Sequence, residues 1–97
     1  MPRQTKPKLE AGAFYYTYVL YSQKDHKLYK GFTSDLKNRI KEHNQGNVTS
    51  TAYRRPLILI YYEAGLSRED SSRREKYLKS TAGSRFIAKR LRDYLYL

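Results

Sequence analysis

Residues 14–31 read FYYTYVLYSQKDHKLYKG, and the organisation of the whole chain follows from them. From Phe14 to Tyr21 the side chains alternate, with Phe14, Tyr16, Tyr18 and Leu20 on one side and Tyr15, Thr17, Val19 and Tyr21 on the other. Every position is aromatic or β-favouring, which predicts a strand buried on both faces. The polar run Lys24, Asp25, His26 turns the chain, and LYKGF, Leu28 to Phe32, returns as a second strand, so the pair forms an antiparallel hairpin. Gly31, near the end of that second strand, lets another backbone, side chain or ligand come close. Five tyrosines fall within these eighteen positions, more phenols than one small strand pair needs for packing.

Downstream the period changes. Thr33 or Ser34 caps a helix over about 34–44, in which Leu36 and Ile40 stand one turn apart, and the segment from Asn44 to Gly46 stops it. A polar loop with Thr49, Ser50, Thr51, Arg54 and Arg55 leads through Pro56 to LILIYYE, a third strand that is apolar on both faces. SRED opens a second helix at Ser67 as a capping box, and Gly83 ends it. Ser84 starts a third helix, whose apolar residues Phe86, Ile87, Leu91, Tyr94 and Leu95 alternate with Arg85, Lys89, Arg90 and Arg92. The predicted order is β-β-α-β-α-α, an α/β (α+β) fold with a three-stranded antiparallel sheet flanked by helices.

Composition bounds the function. A chain of 97 residues fills one hydrophobic core, so residues 13–97 are expected to be one domain, preceded by a flexible basic tail over residues 1–12. No apolar run is long enough for a membrane span, and the tail lacks the apolar centre of a secretory leader. With no cysteine there is no disulfide framework, thiolate zinc site or thiol nucleophile, and a cytoplasmic location is expected. Twenty Lys and Arg against nine Asp and Glu give a net charge of +11, which points to a polyanion, most commonly nucleic acid. A membrane surface fits less well, because there is no tryptophan and no basic amphipathic helix exposing large apolar side chains.

Certain polar groups converge. Tyr18 lies in the first strand and Tyr29 in its hairpin partner, where cross-strand side chains on one face sit close together. Arg39 and His43 are four residues apart on the first helix, beside the apolar pair Leu36 and Ile40, so they look toward the sheet. Glu75 lies one turn after Ser71 and one turn before Leu78, on the buried side of the second helix, where a carboxylate needs a partner or a metal. Taken one at a time these residues are also explained by packing, by a helix-terminal histidine or by an Arg39–Glu75 ion pair. Spacing alone describes a basic nucleic-acid-binding α/β domain.

The joint pattern resembles the GIY-YIG nuclease family. It is carried by YTY (Tyr16 to Tyr18), YKG (Tyr29 to Gly31), TSDLKNRIKEHNQG (Thr33 to Gly46) and RREKYLK (Arg73 to Lys79), in that order. The resemblance covers about residues 14–90. It is closest to small standalone members, through His43-Asn44-x-Gly46, the Arg54-Arg55-Pro56 run and the Arg74-Glu75-x-x-Leu78-Lys79 segment, and it extends to the N-terminal nuclease domain of bacterial excinuclease subunits. The chain departs from the family pattern at Tyr16 and Thr17, where the name-giving motif has Gly and Ile, and at Lys30, where it has Ile. Phe32 stands where the excinuclease subunits carry a lysine, and no asparagine follows the second helix.

The resemblance implies a metal-dependent endonuclease that hydrolyses phosphodiester bonds in DNA, in repair or processing. One Mg²⁺ or Mn²⁺ would be held by Glu75, since a hard ion keeps several waters and takes phosphate oxygens as further ligands. Tyr18 would be the base or its relay and Tyr29 would position water or phosphate, two roles that are interchangeable at this level. His43 would share the proton transfer, and Arg39 would meet the scissile phosphate, with its cationic neighbourhood favouring the Tyr18 phenolate. Lys30, Arg39, Arg54 and Arg55 are the expected nucleic-acid contacts. A catalytically inactive nucleic-acid-binding module on the same fold is the competing reading.

Overall fold

A computed structural model describes residues 13–96, so the tail expected over residues 1–12 lies outside the described residues. The first strand, β1 (Tyr15–Ser22), is the central one, because β2 (Leu28–Thr33) and β3 (Leu57–Gly65) flank it in the order β2-β1-β3, both antiparallel to it. Its continuous run of aromatic and β-branched residues follows from that place: Thr17, Tyr18, Val19 and Leu20 are all buried. The β1–β3 register shifts between Val19 and Leu20.

The two faces of β1 are covered by different helices. Tyr18 and Leu20 pack with Leu57 beneath Leu36 and Ile40 of α1 (Leu36–Asn44). Val19 packs on the other face with Leu78 of α2 (Arg68–Lys79) and Ile87 of α3 (Thr81–Arg90). A short α4 (Arg92–Tyr96) follows, and its Tyr94 meets Tyr21 edge to face. Among the described residues no helix is long and apolar enough to cross a membrane.

Several expected boundaries move, each for a local reason. Asp35, not Thr33 or Ser34, caps α1, its carboxylate accepting from the Asn38 amide, while Thr33 Oγ1 accepts from the Asp35 amide one step earlier. Ser67 caps α2 as expected, but the helix ends at Lys79, because the Ser80 hydroxyl accepts from the Gly83 amide and starts α3 there. Gly83 is therefore no stop signal. A Cβ on it would meet the Tyr77 carbonyl and lie 2.5 Å from the Leu78 Cα, so its missing side chain lets α3 cross close over the end of α2. The segment Thr49–Arg54 winds into a 3-10 helix rather than an open loop. The third strand is an edge strand, and its apolar sequence leaves Ile58 and Tyr62 exposed.

Candidate active site

The apolar stripe of α1 runs Leu36, Ile40, His43, and this spacing drives an imidazole into the core together with the two aliphatic side chains. His43 is 0% exposed and Tyr18 1%. Their contact is a 2.8 Å hydrogen bond between the Tyr18 hydroxyl and His43 Nε2. The other ring nitrogen, Nδ1, lies 2.7 Å from Thr51 Oγ1, whose own proton goes to the Val48 carbonyl. Thr51 therefore accepts from Nδ1–H, which leaves Nε2 as the acceptor for the Tyr18 proton. The result is a directed chain from Tyr18 through His43 to Thr51 and Val48, closed off from solvent.

Tyr18 reaches this position because residue 31 is glycine. Gly31 is its direct partner across the β1–β2 ladder. A Cβ there would fall on the Tyr18 ring tip, with Cε1 at 2.8 Å and Cζ and Oη closer still. Tyr29 lies on the same face, with its ring 6.4 Å from that of Tyr18 and 5.1 Å from the imidazole of His43. The expected meeting of the two phenols and the histidine is present in the geometry.

Electrostatics around the hydroxyl run against one expectation. Burial pushes the Tyr18 phenol up to about 12, with Tyr29 and Glu75 adding to the rise, and the Arg39 guanidinium beside the hydroxyl offsets only part of it. The phenolate was expected to be favoured by its cationic surroundings. In the protein without substrate, desolvation dominates and the proton stays on oxygen. Burial, aided by Arg39, lowers His43 to about 4, so the imidazole is neutral at physiological pH and free to accept.

Arg39 and Glu75 do not pair with each other. Arg39 Nη1 binds Glu42 Oε1 at 3.0 Å, the chief reason its pKa is raised. Glu75 lies on the α2 stripe between the buried Ser71 and Leu78, with its side chain 20% exposed. Its Oε2 lies 3.1 Å from Lys79 Nζ, on a lysine side chain 54% exposed. Although α2 packs on the opposite face from α1, the Glu75 charge still reaches the Tyr18 hydroxyl. β2 is an edge strand of the sheet.

Two of the expected nucleic-acid contacts are placed differently. Lys30 alternates to the α2/α3 face, away from the phenols, where its Nζ lies 3.4 Å from Ser84 Oγ and burial lowers its pKa. Arg54 is engaged in structure: its Nε donates to Asp25 Oδ2 at 2.6 Å, and Nη2 donates to Asp25 Oδ1 and the Leu28 carbonyl. It clamps the hairpin turn and holds the Asp25 carboxyl well below the usual carboxylate range. Arg55 remains exposed, its Nε donating to the Ala52 carbonyl at 2.7 Å. Sequence reasoning missed Thr51 and Glu42 as partners. Glu42 carried a readable signal, three residues after Arg39 on one helix. Thr51 carried none, because its contact with His43 depends on how the 3-10 segment folds back.

The constellation of two strand tyrosines, a helical Arg and His, and one carboxylate on the next helix has a counterpart among known proteins. The sequence profile described as the GIY-YIG catalytic domain matches residues 14–94. The chain belongs to the GIY-YIG family. A UPF0213 protein of Staphylococcus haemolyticus is 38% identical over 69 residues, covering 70% of this chain and 83% of that protein. UPF0213 proteins of Clostridium perfringens and Streptococcus pyogenes are 40% and 43% identical over 65 residues, covering 66% of this chain and 69% and 70% of theirs. These relatives are small proteins, and their names carry a family designation without an activity. No solved structure matches the chain. Family membership makes this a nuclease-type domain, with nucleic acid as the class of substrate.

The residues present fit one hard divalent ion. Among the described residues no group of three or more His, Cys, Asp or Glu side chains comes together, so a closed protein cage is not on offer. A single half-buried carboxylate, paired with a largely exposed lysine one turn away, suits an ion whose other ligands are water and phosphate.

Proposed function

We propose that this protein is a divalent-metal-dependent endonuclease that hydrolyses phosphodiester bonds in DNA, with a place in DNA repair or processing. The observation that carries the reading is the buried, directed hydrogen-bond chain from Tyr18 through His43 to Thr51, with Arg39 at its open end. A structural tyrosine needs one partner for its hydroxyl. It does not need a neutral imidazole poised to take its proton.

In this mechanism Arg39 contacts a non-bridging oxygen of the scissile phosphate, where charge grows in the transition state. The phosphate also offsets the positive charge that helps to hold His43 neutral, so substrate binding raises the proton affinity of the imidazole. As water forms its bond to phosphorus, its proton passes to Tyr18 Oη while the Tyr18 proton passes to His43 Nε2. The P–O bond opposite breaks, and the leaving oxygen takes a proton from solvent. His43 then returns its proton to Tyr18 Oη, which passes a proton to the water that replaces the product. Tyr29 orients the water or the phosphate from the same face. Glu75 would hold one Mg²⁺ or Mn²⁺, which when bound supplies Lewis-acid stabilisation of the phosphate charge.

The competing reading, an inactive nucleic-acid-binding module, draws on the high proton affinity of Tyr18 and on the replaced Gly and Ile of the first motif. Glu75→Gln separates the two. The substitution keeps shape but removes the charge that attracts the ion, so cleavage of labelled DNA in Mg²⁺ or Mn²⁺ is expected to collapse. DNA affinity should hold or rise, and the melting temperature should stay within a few degrees, because an exposed i,i+4 pair is worth only about 0.3–0.5 kcal/mol. Undiminished cleavage by Glu75→Gln would sink the one-metal mechanism. Absence of cleavage by the wild type, with tight DNA binding, would establish the inactive module.

A further inference from the structure

Next to the catalytic centre the sheet face is incompletely covered. Between α1 and the sheet edge, Tyr16 and Tyr62 form a groove of about 710 Å³ with Leu36, Ile40 and Leu59, and Lys37 stands among its lining residues. That volume falls in the roughly 300–1,000 Å³ range of sites that take small-molecule-sized ligands. Tyr62 is 53% exposed, and its ring meets that of Tyr16 edge to face, with centroids 5.9 Å apart. In the β1–β3 ladder Tyr62 is the direct partner of Tyr18.

We propose that this groove seats one unpaired nucleobase of the substrate strand, stacked on Tyr62 and edged by Tyr16, a few nucleotides from the scissile phosphate. The proposal rests on the nucleic-acid reading of the adjoining centre, and three observations support this occupant. First, position: neighbouring strands lie roughly 4.8 Å apart, and nucleotides along a strand about 3.4 Å apart. The Tyr18 hydroxyl lies over Gly31 of β2 and Tyr62 lies on β3, so about two strand spacings, roughly 10 Å, separate a phosphate at the hydroxyl from Tyr62, the reach of about three nucleotides of one strand. Second, chemistry: the walls are mainly aromatic and aliphatic, with Asp35 and Lys37 together adding no net charge, so they suit the apolar faces of a base better than a phosphate. The backbone is left to Lys37 and to the net charge of +11. Third, shape: the Tyr16 and Tyr62 rings meet at 61° rather than stacking on each other, and Tyr62 is exposed, so ring surface is left for a flat partner. A paired base has both faces covered by its stack and must leave it to enter, which favours single strands, bulges and frayed ends.

The test compares two probes of equal length and charge, an oligothymidylate and a strand of abasic units, by fluorescence anisotropy in chelator, where no cleavage occurs. The wild type is expected to bind the oligothymidylate about tenfold or more tightly than the abasic strand, the scale of one stacked base. Tyr62→Val, β-favouring at an exposed edge position, should lose most of that preference while binding the abasic strand unchanged, and Tyr62→Phe should keep it. Equal affinity of the wild type for both probes, or a preference that survives in Tyr62→Val, overturns the subsite and leaves the endonuclease reading standing. Failure to bind either probe removes the nucleic-acid reading and the subsite with it. A wild-type dimer that Tyr62→Val converts to monomer in sedimentation assigns the groove to a second copy of the chain, which also overturns the proposal.

Discussion

Tyr18→Phe removes one oxygen from a site where its loss is felt twice. The ring still fills the space over Gly31 and still packs with Leu20 and Leu57, so the apolar burial is kept. His43 Nε2, on a residue that is 0% exposed, loses the donor 2.8 Å away. An unsatisfied buried acceptor costs about 1–3 kcal/mol. For a domain of this size each kcal/mol lowers the melting temperature by roughly 4–8 °C, so a fall of about 5–20 °C is expected, short of unfolding at 25 °C. The rate effect is larger and separate, because loss of a general-base route slows chemistry by about a hundredfold or more. Melting by circular dichroism, DNA affinity in chelator, and single-turnover cleavage in Mn²⁺ on one preparation give all three quantities. Thr51→Val is the control: it removes the acceptor for His43 Nδ1–H at 2.7 Å and should cost similar stability with a smaller loss of rate, since it only positions the imidazole. Wild-type cleavage by Tyr18→Phe, or equal rate losses in the two variants, would refute the proton chain and leave Tyr18 as a packing residue.

Gly31→Ala should destabilise by about 1–3 kcal/mol, the usual cost of overpacking, and should abolish cleavage by expelling the Tyr18 ring; a stable, active Gly31→Ala variant would show that the ring does not need that space. Stability should be greatest between about pH 6.5 and 10. A histidine lowered from 6.5 to about 4 contributes stability that is present above 6.5 and lost as pH falls toward 4, and a tyrosine raised from 10 to about 12 contributes stability that is lost as pH rises from 10 through 12; His43→Gln should flatten the acid limb of the melting-temperature profile. DNA affinity should fall steeply with salt, given the net charge of +11, and a dissociation constant unchanged between low and physiological salt would remove polyanion binding from the account.

What the sequence disclosed was periodic, and what it concealed was non-local. The alternation from Phe14 to Tyr21 announced a strand covered on both faces, and the four-residue spacing of Arg39 and His43 beside Leu36 and Ile40 turned the histidine toward the sheet. The same reasoning misjudged Gly83, since a glycine after a helix reads as a stop. Here the missing side chain makes room for the backbone of Tyr77 and Leu78 instead. It placed Arg54 among the nucleic-acid contacts because nothing local ties it to Asp25, twenty-nine positions earlier. The third strand reads as apolar on both faces, and its edge position, a tertiary choice, leaves Ile58 and Tyr62 exposed.

Charge and burial follow different rules in this protein. Basic side chains are abundant at the surface, and the sequence does not say which of them folding pairs with a carboxylate, as it pairs Arg54 with Asp25. The proton chain obeys the opposite rule. Tyr18, His43 and Thr51 carry no net charge, and the core admits them because each polar atom is satisfied by the next. Burial holds the proton on Tyr18 and keeps His43 empty in the resting protein. In the proposed mechanism the basicity needed to move that proton therefore arrives with the anion, which makes substrate binding and activation of the base one event.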